Sequence, residues 1–124
     1  GDDRRQRQMC IRDSSLIAQA EGCTIDLRQS NSEADLIDWI HEARIDGSGI
    51  VINPAAYSHT SVAIMDALIA FEGPVIEVHV SNIHRREDFR HKSYVSLRAD
   101  GVIAGLGVKG YEFGVIRILE ILRS

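Results

Sequence analysis

Cysteine, proline and long apolar runs are all scarce in this chain, and each scarcity removes a class of protein. The 124 residues hold only two cysteines, Cys10 and Cys23, outside any Cys-x-x-Cys spacing, so neither a disulfide-stapled secreted fold nor a zinc knuckle is indicated. Pro54 and Pro74 are the only prolines, and no repeat or low-complexity segment appears. No apolar stretch approaches the roughly 18 residues of a membrane span, and the first residues lack the apolar core of a secretory signal. Lys and Arg number 14 against 18 Asp and Glu, for a formal net charge of −4. Affinity for nucleic acid rests on clustered cations that neutralise phosphates, so the composition argues against a DNA or RNA partner. Five histidines, with no i, i+4 pair on a helix and no His-x-His on a strand, give no recognisable metal ligand set. The expectation is one cytoplasmic domain with a single core and no membrane contact.

What is present is an alternation of buried strands and helices. Residues 1–14 mix charges of both signs without an apolar period and read as a disordered or foreign segment ahead of a single α/β domain over 15–124. A short helix from Ser15 to Ala20 should end at Gly22 in the C′ position. Cys23 to Arg28 alternates apolar and polar with period two, which predicts a strand near a sheet edge. Ser32 is a plausible N-cap for a helix carrying Ile37, Trp39, Ile40 and Ala43, closed by Gly47. Continuous apolar runs predict buried strands at 49–52, 74–78 and 102–104, separated by a helix over 61–70. A final helix to Leu122 should turn Val115, Ile116, Ile118, Leu119 and Leu122 inward. Four strands alternating with helices predict a doubly wound parallel sheet covered on both faces.

The chemistry gathers where strands end. Asn53, His59, Glu77, His79, Ser81 and Asn82 fall at or just past the carboxyl ends of two strands, which in a parallel sheet lie on one edge and converge on one small ligand. Glu77 and His79 are two apart on a strand and so point the same way. A carboxylate beside an imidazole favours the imidazolium, as a general acid requires; the plainer alternative is a solvated ion pair at a strand end. The run from His84 to Lys92 is by default a solvated loop or short helix. In a helix, its Arg86 and Arg90 would share a face and could bind an anionic substrate. Asp66 reads as a surface acid. Gly105-Leu106-Gly107-Val108-Lys109-Gly110 matches G-x-G-x-x-G, but only 14 residues come after it. No second strand or ribose-binding acid can then complete a dinucleotide site, and a tight strand-to-helix connection is the better account.

Five ordered blocks carry a resemblance: Arg28 to Asn31, Asp38 to Ala43, Ile52 to Ser61, Glu77 to Asn82 and Phe89 to Ser96. Together they resemble type II 3-dehydroquinate dehydratase, a lyase of the shikimate pathway, from about Ser15 to the C-terminus. The resemblance implies a flavodoxin-like fold and a cofactor-free dehydration of 3-dehydroquinate to 3-dehydroshikimate through an enolate. It places His79 as proton donor and Glu77 in its supporting network. Asn53, His59, Asp66, Val80, Ser81 and Arg90 fall at substrate-binding positions. It further implies that the Asp66 equivalent acts from a neighbouring subunit, in trimers that assemble into dodecamers.

The chain departs from the family pattern in having Ala55 for the usual glycine and Lys92 for the commoner histidine. The family's first central strand and the lid that bears an arginine and the proton-abstracting tyrosine are also unmatched. Tyr57, Tyr94 and Tyr111 fall in other blocks, so this polypeptide is expected to be inactive and poorly folded where the full-length gene product is active. Two other functions compete: a non-catalytic flavodoxin-like binding or assembly module, and a small nucleotide- or metal-dependent hydrolase.

Overall fold

Every side chain from Val75 to His79 is buried, the central pair Glu77 and Val78 at 0% exposure, and only a strand flanked on both edges and covered on both faces meets that demand. The structure, a computed structural model, describes residues 2–26, 28–30, 32–55, 57, 60–82 and 93–124, with the backbone alone at 2–4, 6, 7, 10 and 11. Its elements are α1 (Asp2–Ala20), α2 (Glu33–Asp46), β1 (Ile50–Ile52), α3 (Val62–Ile69), β2 (Val75–His79), a 3-10 turn (Val95–Leu97), β3 (Gly101–Ala104) and α4 (Lys109–Arg123). The strands form a parallel sheet in the order β1-β2-β3, with Ile52 beside Glu77 and His79 beside Ala104.

Strand parity sorts the core into two layers. On one face Ile52 and Val75 pack with Ile40 of α2, Ile64, Ala67 and Leu68 of α3, and Val95. On the other, Ile76 and Val78 pack with Ile118 of α4 beside Val51 and Ile103. Val75, Glu77 and His79 share the first face by the same alternation. Both faces are therefore covered, as expected for a doubly wound α/β sheet, and α1 lies along α4. Among the described residues no helix is long and apolar enough to cross a membrane.

Local chemistry sets the helix ends. The Ser32 hydroxyl accepts the backbone N–H of Asp35 and caps α2 as expected, and the Ser61 hydroxyl does the same for Ile64 at the start of α3. Gly22, at φ +75°, closes α1: the Gly22 and Cys23 N–H groups donate to Gln19 and Ala18 at 3.0 and 2.9 Å, the paired bonds of a Schellman turn.

Three expectations are corrected. Cys23–Arg28 forms no ladder among its described residues, because alternation makes a segment competent for a sheet but a strand exists only opposite another backbone. Among the described residues the sheet accordingly has three strands where four were expected. The first helix begins at Asp2 instead of Ser15; its Arg, Gln and Met residues are good helix formers, and extending a helix from a packed end costs little once a turn exists. On α4 the buried positions include Gly110, Gly114, Ile118 and Leu119, whereas Ile116 and Leu122 are exposed. A Cβ on Gly114 would meet Val51 Cγ1 at 2.9 Å, so the glycines let the helix axis approach the sheet and set which stripe faces it.

Candidate active site

The carboxyl end of β2 presents Glu77 and His79 on one face, and there the two side chains are joined by a hydrogen bond from His79 Nε2 to Glu77 Oε2. The other carboxylate oxygen, Oε1, accepts the Ser96 hydroxyl at 2.6 Å. Burial alone pushes the Glu77 carboxyl up, but hydrogen bonding led by His79 and Ser96 outweighs it and holds the group below its ordinary value. Glu77 is thus an ionised acceptor, and the His79 nitrogen facing it, Nε2, carries a proton. Nδ1, the nitrogen turned away from Glu77, is the one able to exchange a proton with a ligand. Taking a carboxylate wholly out of water costs several kcal/mol, on the order of the stability of a small domain, unless it is well paired. A solvated ion pair does not describe this arrangement.

The pair makes folding stability depend on pH. The folded-state pKa of Glu77 lies below its ordinary 4.5. Its contribution to stability is therefore fully present above that value and is lost as pH falls through the folded pKa. Urea unfolding at stepped pH should show the midpoint dropping below about pH 4.5, with a shallower acid slope for Glu77→Gln. An equal slope in the two proteins would refute the assignment of the charge to Glu77.

One strand away, Asn53 follows β1. Its Oδ1 accepts the Ala55 N–H at 3.0 Å and its Nδ2 donates to the Tyr111 hydroxyl of α4 at 2.9 Å, so the carboxamide is fixed from two sides. Ala55 sits at φ +51°, a left-handed conformation that favours glycine, which accounts for glycine being usual at that position in the family resembled. Beyond β2, Val80 and Ser81 are exposed. The glycine turn holds this strand end: Gly105 and Gly107, at φ +83° and +62°, donate to the His79 and Val80 carbonyls at 3.1 and 2.9 Å. A Cβ on Gly105 would lie 3.2 Å from Asn82 Cβ. The G-x-G-x-x-G segment is therefore a tight connection that positions the His79 backbone, as expected.

Glu77, His79 and Asn53 are brought to the ends of neighbouring strands. Asp66 is not joined to them: it lies on the exposed side of α3, opposite the buried Ile64, Ala67 and Leu68. His59, Arg86 and Arg90 lie outside the described residues. Sequence reasoning gave no site role to Ser93, Ser96 or Tyr111. Ser93 and Ser96 belong to the last of the five blocks, but their reach to Glu77 spans at least 16 residues of chain and leaves no local signature.

Comparison with known proteins agrees with this arrangement. Residues 6–119 match the family described as dehydroquinase class II. The chain is 71% identical over 108 residues to the 3-dehydroquinate dehydratase of Streptomyces avermitilis, covering 86% of this chain and 68% of that protein. It is likewise 71% identical over 105 residues to the 3-dehydroquinate dehydratase of Streptomyces coelicolor, covering 84% and 67%. The fold superposes on the crystal structure of type II dehydroquinase from Propionibacterium acnes with a TM-score of 0.82 and 44% identity, over 90% of this chain and 82% of that one. With a buried carboxylate–imidazole pair at the end of the central strand and the family match running through it, this chain belongs to the class II dehydroquinases.

Proposed function

We infer that the site dehydrates 3-dehydroquinate to 3-dehydroshikimate, with His79 as the general acid and Glu77 as its orienting partner. The reaction needs a proton removed next to a ketone and a hydroxyl expelled one carbon further on. The first proton is taken by the family's lid tyrosine, a base that this chain does not match and the gene product must supply; collapse of the enolate then breaks the C–O bond, and the imidazolium proton goes to the departing oxygen, so that water leaves and no cofactor is consumed. His79 Nδ1 is the atom that delivers this proton. The single observation that carries the reading is the buried Glu77–His79 pair in a chain of this family. A non-catalytic module has no use for a desolvated charge at a strand end.

Asn53, held by Tyr111, Val80 and Ser81 beside the acid, and His59, Arg86 and Arg90 are assigned to the substrate. The exposed position of Asp66 on α3 suits a residue that serves a neighbouring subunit in a trimer, with trimers assembling to a dodecamer, and the cytoplasm is the compartment that this small-molecule chemistry fits. The gene product incubated with 3-dehydroquinate should accumulate the conjugated enone of 3-dehydroshikimate without added metal or nucleotide. In the ultracentrifuge it should sediment as a multiple of three. Absence of enone would overturn the dehydratase reading, and a monomer would overturn the role given to Asp66.

A further inference from the structure

Glu77 can orient His79 only if its own carboxylate is kept from turning. We propose that Ser96, supported by Ser93, is a positioning residue of this acid: its hydroxyl pins Glu77 Oε1 so that Oε2 stays on His79 Nε2. The inference rests on His79 being the proton donor, and it adds residues from a separate element, the 3-10 turn at 95–97.

Glu77 sits at 0% exposure in the middle strand of the sheet, with neighbours on its own face that are mostly aliphatic, Ile52 and Val75 among them. A carboxylate has two oxygens, and rotation about the last side-chain bond exchanges them. One oxygen meets His79. Unless the other is also held, rotation costs little and the imidazole loses its fixed acceptor. The described donor to the remaining oxygen comes from the 3-10 turn. Ser96 Oγ lies 2.6 Å from Oε1. Ser93, itself buried, accepts the Ser96 backbone N–H at 3.3 Å, which fixes the residue that presents the hydroxyl.

The chain around the turn is also anchored. Val95 is fully buried in the α2/α3 layer, and just beyond Ser96 stands Arg98, whose guanidinium binds the α3–β2 connection. The Ser96 hydroxyl is thus presented from a rigid segment to a rigid strand. Such an arrangement can hold a proton donor within the few tenths of an ångström that transfer demands. Ser96 itself is exposed. Removing its hydroxyl opens no core cavity, and a threonine methyl has solvent to occupy.

In the full-length gene product, Ser96→Ala should lower kcat for 3-dehydroquinate by on the order of 10- to 100-fold, the scale of a small misplacement of a reacting group, with KM within about threefold. Ser96→Thr, which keeps the hydroxyl, should return kcat to within about threefold of the parent. The ¹⁵N spectrum of the His79 imidazole gives a reading independent of turnover. The parent should show one tautomer with Nε2 protonated, and Ser96→Ala an averaged pair, while Ser96→Thr matches the parent. An unchanged kcat together with an unchanged imidazole spectrum in Ser96→Ala overturns the proposal, as does failure of threonine to rescue either one. If the full-length gene product makes no enone at all, the dehydratase reading fails, and the imidazole spectra still decide whether Ser96 positions His79.

Discussion

In the full-length gene product, His79→Ala should lower kcat for 3-dehydroquinate by about 10²- to 10⁴-fold, the usual worth of a positioned general acid, while KM changes by a few-fold at most. The hydroxyl is a poor leaving group as hydroxide, and the enolate returns to ketone more readily than it expels one. Protonation of the departing oxygen is the step that the proposed function assigns to His79. His79 is 5% exposed, and its backbone is held by the Gly105 N–H as well as by the strand ladder. Alanine there removes the imidazole without removing what places the strand. On that proposal His79 and Glu77 differ in role: the histidine exchanges the proton, and the carboxylate determines which nitrogen is free to do so. An alanine variant that retains kcat would place the acid elsewhere and remove the functional meaning of the buried pair.

Arg98→Ala should destabilise the fold by about 3 kcal/mol, since hydrogen bonds from a charged donor contribute about 1.5 to 3 kcal/mol each and several are lost together. The guanidinium donates to the Leu68 carbonyl at 2.9 Å, to Phe71 at 2.7 Å and to Gly73 at 2.8 Å, and it lies 3.3 Å from Asp100. Those carbonyls end α3 and lead into β2; Leu68 also accepts the Phe71 N–H at 3.1 Å, and the Phe71 and Gly73 carbonyls lie beyond the last helical turn. Asp100 in turn accepts the Val75 N–H at 2.8 Å and so starts the central strand. One side chain thus joins the end of a helix to the beginning of the strand that carries Glu77 and His79. For a domain of this size the loss should appear as a fall of about 10 °C in Tm. Arg98→Lys should recover only a minor part of it, because an ammonium cannot reproduce the planar fork that reaches three carbonyls at once. A Tm within about 2 °C of the parent for Arg98→Ala would show that water satisfies these carbonyls equally well.

Where information is local, the amino-acid order was enough. Ser32 and Ser61 mark helix starts because a hydroxyl caps a backbone N–H three residues on. Gly22 marks a helix end because the closing turn needs a positive φ. The apolar run ending in Asn53 and the mostly apolar run ending in His79 announced parallel strands because strands covered on both faces are largely apolar, and period two alone put Glu77 and His79 on one side. The G-x-G-x-x-G segment was legible as a tight strand-to-helix connection, and its glycines serve two left-handed turns and close packing.

What depends on a distant partner was decided only by the tertiary structure. Alternation from Cys23 to Arg28 could not become a ladder without a backbone opposite. The inner stripe of α4 was chosen by glycines that allow approach to Val51 and Val78, not by the largest apolar residues, which left Ile116 and Leu122 outside. Arg98, Ser96 and Tyr111 act on carbonyls, a carboxylate and a carboxamide from 19 to 58 residues away. Hydrogen bonds of that reach have no period and no spacing rule. They exist because packing two layers onto one sheet brings those groups within about 3 Å of each other, and a chain read along its length holds no trace of that distance.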